Sequence, residues 1–282
     1  MASLDLADSR GAMPAAALDF PLLPGGQEPF ASGGLHYPRS FIFADGTTSP
    51  LFVKGVIPSA ELEQVAQHTA RQIAAHYAGR RLLVVQILEG ARVFARMLLP
   101  HLDRLCLTAG IDYEMGAVQV RSYSHGSQAT AHTVLTPLQD SRCRDLADCR
   151  GFDGVVLVDD LIDAGLTMTW LITEYLPRFT AQDIGICTML DKKRPRTDKV
   201  AGVLSRSLIS AGLEVPDDWL VGYGLDLALG GGEGIPPLHL FRQALPGGVY
   251  AFNSAIEERL ASEYRQRPAW VASQLAVYRS QL

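Results

Sequence analysis

The chain alternates between two hydrophobic periods. Residues 82–87, 155–158 and 184–190 are predominantly apolar runs of strand length, the pattern of a parallel strand covered on both faces. A further strand is expected within residues 111–123, and a fifth at 219–223. Before and between them the period lengthens. Leu62, Val65, Thr69, Ile73 and Tyr77 recur at near-helical spacing, with Pro58-Ser59 as a start signal and Gly79 as a stop. Glu89-Gly90 breaks the first run ahead of a helix over 93–99, and a third helix is expected from Thr167 to about Tyr175. Strands alternating with helices predict an α/β fold built on an open, mostly parallel twisted sheet flanked by helices.

The polar tract 124–132 and the basic stretch after Leu190 read as loops. Residues 1–50 are rich in Gly, Pro, Ala and Ser and read as an extension. After Leu240, Ile256, Leu260 and Tyr264 stand at helical spacing and predict added helices. The expected organisation is an extension over 1–50, a core domain over 51–240 and a helical extension over 241–282.

Composition narrows the function classes. With 282 residues, 48% hydrophobic and 20% charged, the chain can bury a substantial core. A net charge of −5 gives no nucleic-acid-binding signature. No stretch of ~18 uncharged apolar residues suggests a membrane span. The N-terminal stretch carries Asp5, Asp8 and Asp19 and no basic n-region, so a signal peptide is not expected. Cys106, Cys143, Cys149 and Cys187 lack CxxC spacing, which argues for a reducing, cytoplasmic setting rather than disulfides or zinc.

The chemistry concentrates where the run 155–158 ends. Asp159 and Asp160 follow it, then Asp163, then the turn Ala164-Gly165-Leu166-Thr167 that opens a helix. In open α/β sheets ligands bind at the carboxyl ends of strands. Carboxylates there accept from vicinal hydroxyls or hold Mg2+. A small-residue turn at a helix N-terminus admits a phosphate. The combination suits a phosphorylated sugar.

This stretch resembles the 5-phosphoribosyl 1-diphosphate (PRPP) motif of type I phosphoribosyltransferases. Leu88-Glu89-Gly90-Ala91, Arg121-Ser122-Tyr123, Leu190-Asp191-Lys192-Lys193-Arg194-Pro195-Arg196 and the segment Trp219 to Asp226 resemble the hypoxanthine-guanine group, in its order and near its spacing. The resemblance covers roughly residues 52–237. It implies a type I phosphoribosyltransferase fold with a small hood. The implied reaction is attack of a purine nitrogen on PRPP, giving a nucleotide and pyrophosphate with Mg2+, usually in a homodimer or homotetramer.

By the same resemblance, Asp159 and Asp160 hold the ribose hydroxyls directly or through the metal. Asp163 is the general base near purine N7, and Ala164, Gly165, Leu166 and Thr167 cradle the 5′-phosphate. Lys192 reads the 6-oxygen of the base. Trp219 stacks on the base, and Leu220 offers it backbone. Asp226 anchors a second Mg2+. Glu89 and Gly90 contact pyrophosphate through a peptide the family often holds cis, a form that costs ~2.5–4 kcal/mol without proline. Ser122 and Tyr123 begin a mobile loop. Taken alone, Lys192 also reads as a solvated loop lysine, Trp219 as a core tryptophan and the tract after Tyr123 as a plain surface loop.

Three departures remove positive charge or polarity. No arginine follows shortly after Asp226, where the family pairs one with pyrophosphate; Arg92, Arg121 or a C-terminal arginine is the expected substitute. Gln119 stands where an arginine is common, and the phosphate turn carries Ala164 and Leu166 in place of Thr and a cation. These leave two other readings open: transfer to a different heterocycle, or a PRPP- or nucleotide-binding regulator without turnover.

Overall fold

The computed structural model describes residues 40–280 apart from 126–127, 231–233, 243–244 and 246–247. The expected N-terminal extension, up to residue 39, lies outside the described residues. In chain order the strands are β1 (Phe41–Ile42), β2 (Thr48–Ser49), β3 (Phe52–Pro58), β4 (Arg81–Leu88), β5 (Asp112–His125), β6 (Gln128–Asp140), β7 (Gly154–Ile162), β8 (Ile184–Lys192), β9 (Leu208–Ser210), β10 (Leu213–Val215), β11 (Leu220–Val221), β12 (Leu227–Leu229), β13 (Leu238–Leu240) and β14 (Gly248–Phe252). The α-helices are α1 (Ser59–His76), α2 (Ala91–Ala109), α3 (Leu166–Trp170), α4 (Asp198–Ser207), α5 (Glu257–Gln266) and α6 (Pro268–Ser280).

Two compact units emerge, Gln64–Pro216 and, in its described part, residues 40–63 with 217–280. The first holds a sheet in the order β10-β8-β7-β4-β5-β6, with β9 also on β8. All its pairings are parallel except β5 with β6. The apolar runs behave as the pattern requires: Leu82 to Val85 and Val155 to Val158 are at most 1% exposed. So does the α1 stripe, where Leu62, Val65, Thr69, Ile73 and Tyr77 are buried throughout. Gly154 and Gly185 leave room beside Tyr77, whose ring and hydroxyl would lie 2.7 Å from a Cβ at either position.

Three expectations change. The polar tract 124–132 is no open loop: β5 and β6 form an antiparallel hairpin through it, with Ser122 opposite His132 and Tyr123 opposite Ala131. Gly126 and Ser127 at its tip lie outside the described residues. The stretch after Leu190 contains α4, β9 and β10, with Thr197 capping α4 through its side chain. The run 219–223 is not a strand of the parallel sheet. Its strand, β11, belongs to the second unit, antiparallel to β14, and the fifth parallel position is taken by β10.

The second unit is built on the sheet β11-β14-β3. β14 is buried along its whole length, and Phe52 stacks on Tyr250 with centroids 5.0 Å apart. α5 and α6 close this core through Leu260, Tyr264, Val271 and Leu275. The β1–β2 hairpin is tied to α5 by Arg259, which pairs with Asp45 at 2.7 Å and lies 3.7 Å over the Phe43 ring. Compactness therefore divides the described chain at 63/64 and 216/217, and residues 241–275 share a core with residues 41–52.

Candidate active site

The acidic residues stand where β7 ends. In the parallel register Asp159 lies opposite Thr188 and Ile162 opposite Asp191, so the carboxyl ends of β7 and β8 meet at one edge. Burial, and then the neighbouring Asp160 charge, hold the Asp159 carboxyl well above its usual range. The Asp160 amide donates to Asp159 Oδ1 at 3.0 Å. Gly90, at the mouth of α2, sits against this pair so closely that a Cβ would lie 2.2 Å from Asp160 Oδ2. The loop after β4 and the acidic edge of β7 are thus one surface. A non-proline cis peptide occurs here, between Leu88 and Glu89, one bond earlier than the Glu89–Gly90 bond expected from the resemblance.

Beyond β7 the backbone turns through Gly165 at φ +73°, a left-handed conformation suited to glycine. A Cβ there would also meet Val200 Cγ1 at 2.7 Å. The expected helix from Thr167 to Tyr175 begins as α3, passes into a π-helical turn over Leu171–Tyr175 and tightens to 3-10 over Leu176–Phe179. Thr169 fastens the turn, its amide and hydroxyl both donating to the Gly165 carbonyl at 3.0 and 2.9 Å.

Asp163 is half exposed and faces two cations, one at the end of β8 and one from the loop that follows it. Lys192 Nζ lies 3.7 Å from Oδ2, and Arg194 Nη1 lies 2.6 Å from Oδ1. Arg196 holds this loop to the β7 end. Its guanidinium donates to the carbonyls of Asp163, Ile162 and Lys192 and pairs with the Asp191 carboxylate. The Lys192 side chain is only 10% exposed. Burial of an ammonium beside a carboxylate is not the state of a solvated loop lysine.

In the second unit Trp219 is 46% exposed, so it is not a core tryptophan. Its carbonyl accepts from Phe252 N at 2.7 Å. Leu220 is buried in β11, opposite Ala251. Asp226 is 13% exposed, and its Oδ2 takes His239 Nδ1 at 2.5 Å and Arg242 at 2.6 Å. His239 and Arg242 also approach each other, at 3.1 Å. Asp226 Oδ1 and Arg242 Nε are buried without a hydrogen-bond partner among the described residues.

Of the described arginines in the expected C-terminal extension, Arg242 is the one that reaches Asp226, and sequence reasoning did not single it out. The β12–β13 hairpin lies between it and Asp226 and folds back, with Leu227 opposite Leu240, so a residue 16 positions away reaches the carboxylate. Of the alternatives, Arg92 is held by Glu89 at 3.0 Å and Arg121 stands on β5 opposite Thr133. Gln119 accepts from the Thr136 hydroxyl at 3.2 Å across the hairpin.

Residues 58–219, more than half of the chain, match the family model of the phosphoribosyl transferase domain. The chain belongs to this family.

Among its relatives, the hypoxanthine phosphoribosyltransferase of Escherichia coli is 29% identical over 178 residues, 62% of this chain and 88% of that protein. The bifunctional protein TilS/HprT of Listeria innocua is 30% identical over 176 residues, 62% of this chain, but the chain spans only 24% of that relative's length. A solved hypoxanthine phosphoribosyltransferase from Staphylococcus aureus shares the fold, with a TM-score of 0.53, 21% identity, and coverage of 73% of this chain and 94% of that one. The type I phosphoribosyltransferase fold expected from the sequence is thus the fold found, with the acidic β7 edge inside the matched span.

Proposed function

We propose that this phosphoribosyltransferase moves the 5-phosphoribosyl group of PRPP to a 6-oxopurine, releasing pyrophosphate. One observation carries the reading: the Asp163 carboxylate and the Lys192 ammonium stand 3.7 Å apart at the ends of adjacent strands. A 6-oxopurine bound as its N7–H form presents a donor beside an acceptor at O6, the complement of this acceptor and donor. An ammonium donates and cannot accept, so Lys192 selects a 6-oxo over a 6-amino base.

In this reading N9 attacks the anomeric carbon, the C1′–O bond breaks, and its electron pair leaves with pyrophosphate. Asp163 takes the N7 proton, a role worth ~10²–10⁴-fold in rate. The remaining work is positioning and electrostatics. Asp159 and Asp160 hold the ribose hydroxyls, and the turn from Ala164 to Thr167 holds the 5′-phosphate. Backbone at Glu89 and Gly90 meets pyrophosphate, and the hairpin arm at Ser122 and Tyr123 covers the site. For Trp219, Leu220 and Asp226 the proposed roles follow the family resemblance: stacking on the base, backbone contact to its edge, and the pyrophosphate side. Arg242, resting on Asp226, supplies the arginine that no nearby position provides.

The residues fit Mg2+. Asp159 and Asp160 are adjacent carboxylates whose mutual repulsion a divalent cation relieves, and the buried Oδ1 of Asp226 has no hydrogen-bond partner among the described residues. Among the described residues no three His, Cys, Asp or Glu side chains gather to hold a metal alone. Magnesium shared with substrate phosphates needs only one or two carboxylates, and it would neutralise charge on the diphosphate. No described helix is long and apolar enough to cross a membrane, which is compatible with the cytoplasmic setting we propose. Assembly as a homodimer or homotetramer is likewise proposed from the family.

The test is product formation from PRPP, Mg2+ and a panel of bases by the purified chain. Hypoxanthine or guanine should be converted and adenine refused. Lys192→Ala should cut the 6-oxo over 6-amino preference by at least about tenfold, the scale of one hydrogen bond to a charged group. Unchanged preference would sink the base assignment. Turnover of a non-purine heterocycle alone would favour the broader transferase reading, and ligand binding without turnover the regulator.

A further inference from the structure

The 6-oxopurine reading uses Asp163 and Lys192 but leaves Arg194 unexplained. Its guanidinium lies 2.6 Å from Asp163 Oδ1, while Lys192 faces the other oxygen, Oδ2. The carboxylate is therefore flanked by a donor on each side. Arg194 stands in a constrained segment. Its amide donates to the Lys192 carbonyl at 2.9 Å, Pro195 follows it, and Arg196 fastens the same loop to the carbonyls of Ile162, Asp163 and Lys192.

We propose that Lys192, Asp163 and Arg194 form a donor–acceptor–donor row that selects a purine bearing oxygens at both C6 and C8, with Arg194 as the specificity-determining residue. The inference rests on the base assignment above and extends it by one atom. A simple 6-oxopurine offers an acceptor at O6 and a donor at N7, then only a C–H at C8. Opposite that C–H a guanidinium gains nothing, and it competes with N7–H for Asp163. A carbonyl at C8 completes the complement: O6 to Lys192, N7–H to Asp163, O8 to Arg194. In an 8-oxopurine the stable lactam carries hydrogen on N7, so the donor facing Asp163 is already in place. Sites built to hydrogen-bond a substrate group discriminate most strongly against analogues that lack it.

The transfer step balances with this base. N9 gives its proton to solvent, its lone pair forms the bond to C1′, and the C1′–O bond breaks with its electrons leaving on pyrophosphate. The hydrogen on N7 stays on the base, hydrogen-bonded to Asp163, which acts here as an acceptor throughout.

The experiment compares 6,8-dioxopurine with hypoxanthine as acceptors for the full chain with PRPP and Mg2+, reading kcat/KM for each by nucleotide formation. The 6,8-dioxopurine is expected to be favoured by about tenfold or more, in line with one added hydrogen bond to a charged donor. Arg194→Leu should collapse that ratio by about the same factor, with its melting temperature recorded as a check on folding. Arg194→Lys, which keeps one cationic donor, should restore part of it. A merely structural role for Arg194 would lower both bases together and leave the ratio alone. Turnover of hypoxanthine without preference for the dioxopurine, or a ratio indifferent to Arg194→Leu, overturns this inference and leaves the parent reading intact. No turnover of either base removes both.

Discussion

Gly90→Ala tests whether the loop after β4 and the acidic edge of β7 form one PRPP surface. The added Cβ would lie 2.2 Å from Asp160 Oδ2 and 2.7 Å from its Cγ. Restoring an ordinary contact of 3.4 Å requires the carboxylate oxygen to retreat by about 1.2 Å. Misplacement by ~1 Å of a positioning group can cost ~10²-fold in rate. The backbone does not oppose the change: Gly90 has helical angles, φ −56° and ψ −49°. Gly→Ala at a compatible position stabilises by ~0.4–1 kcal/mol through the unfolded chain. The expected signature is therefore a split. Initial-rate assays varying PRPP should show kcat/KM lowered about 10²-fold, while thermal melting shows stability held or slightly raised. Activity within about threefold of the parent would refute the reasoning, because Asp160 would then be free to move without consequence.

Asp159→Asn should abolish most turnover yet raise stability. The sign follows from the raised carboxyl: its ionised form disfavours the folded state, a penalty absent below the unfolded-state pKa and fully present above the folded one. Melting in metal-free buffer should rise at pH 7–8, by about 2–4 °C for each kcal/mol regained, and the gain should vanish towards pH 3. A lowered melting temperature at neutral pH would contradict it. Arg242→Gln should raise KM for PRPP, and for pyrophosphate in the reverse reaction, by about tenfold or more, since a charge-assisted contact carries ~1.5–3 kcal/mol. An effect on stability alone would reduce Arg242 to a structural partner of Asp226.

Much of the architecture was legible because burial on both faces leaves an unmistakable sequence trace. Val155 to Val158 and Leu82 to Val85 could hardly be anything but central strands. The β5–β6 hairpin was not legible, since a polar arm such as Gln128 to Thr133 owes its strand form to pairing with β5 and not to its own hydrophobicity. β11 misled for the opposite reason. Leu220 and Val221 are buried as a strand should be, but a two-residue run does not encode which sheet it joins. The site divides in the same way. The carboxylates and the turn from Ala164 to Thr167 are contiguous in sequence and could be read directly. Arg242 reaches Asp226 only because a hairpin folds between them, and Arg194 meets Asp163 only because β7 and β8 are neighbours. No local pattern carries either contact.

The most direct measurement is pyrophosphate release from PRPP and hypoxanthine, followed for the parent chain and for Asp163→Asn. The carboxylate proposed as general base predicts steady release by the parent and a loss of ~10²–10⁴-fold in the variant, with the fold intact by melting. Release that persists undiminished in Asp163→Asn, or no release from the parent with any purine, would contradict it.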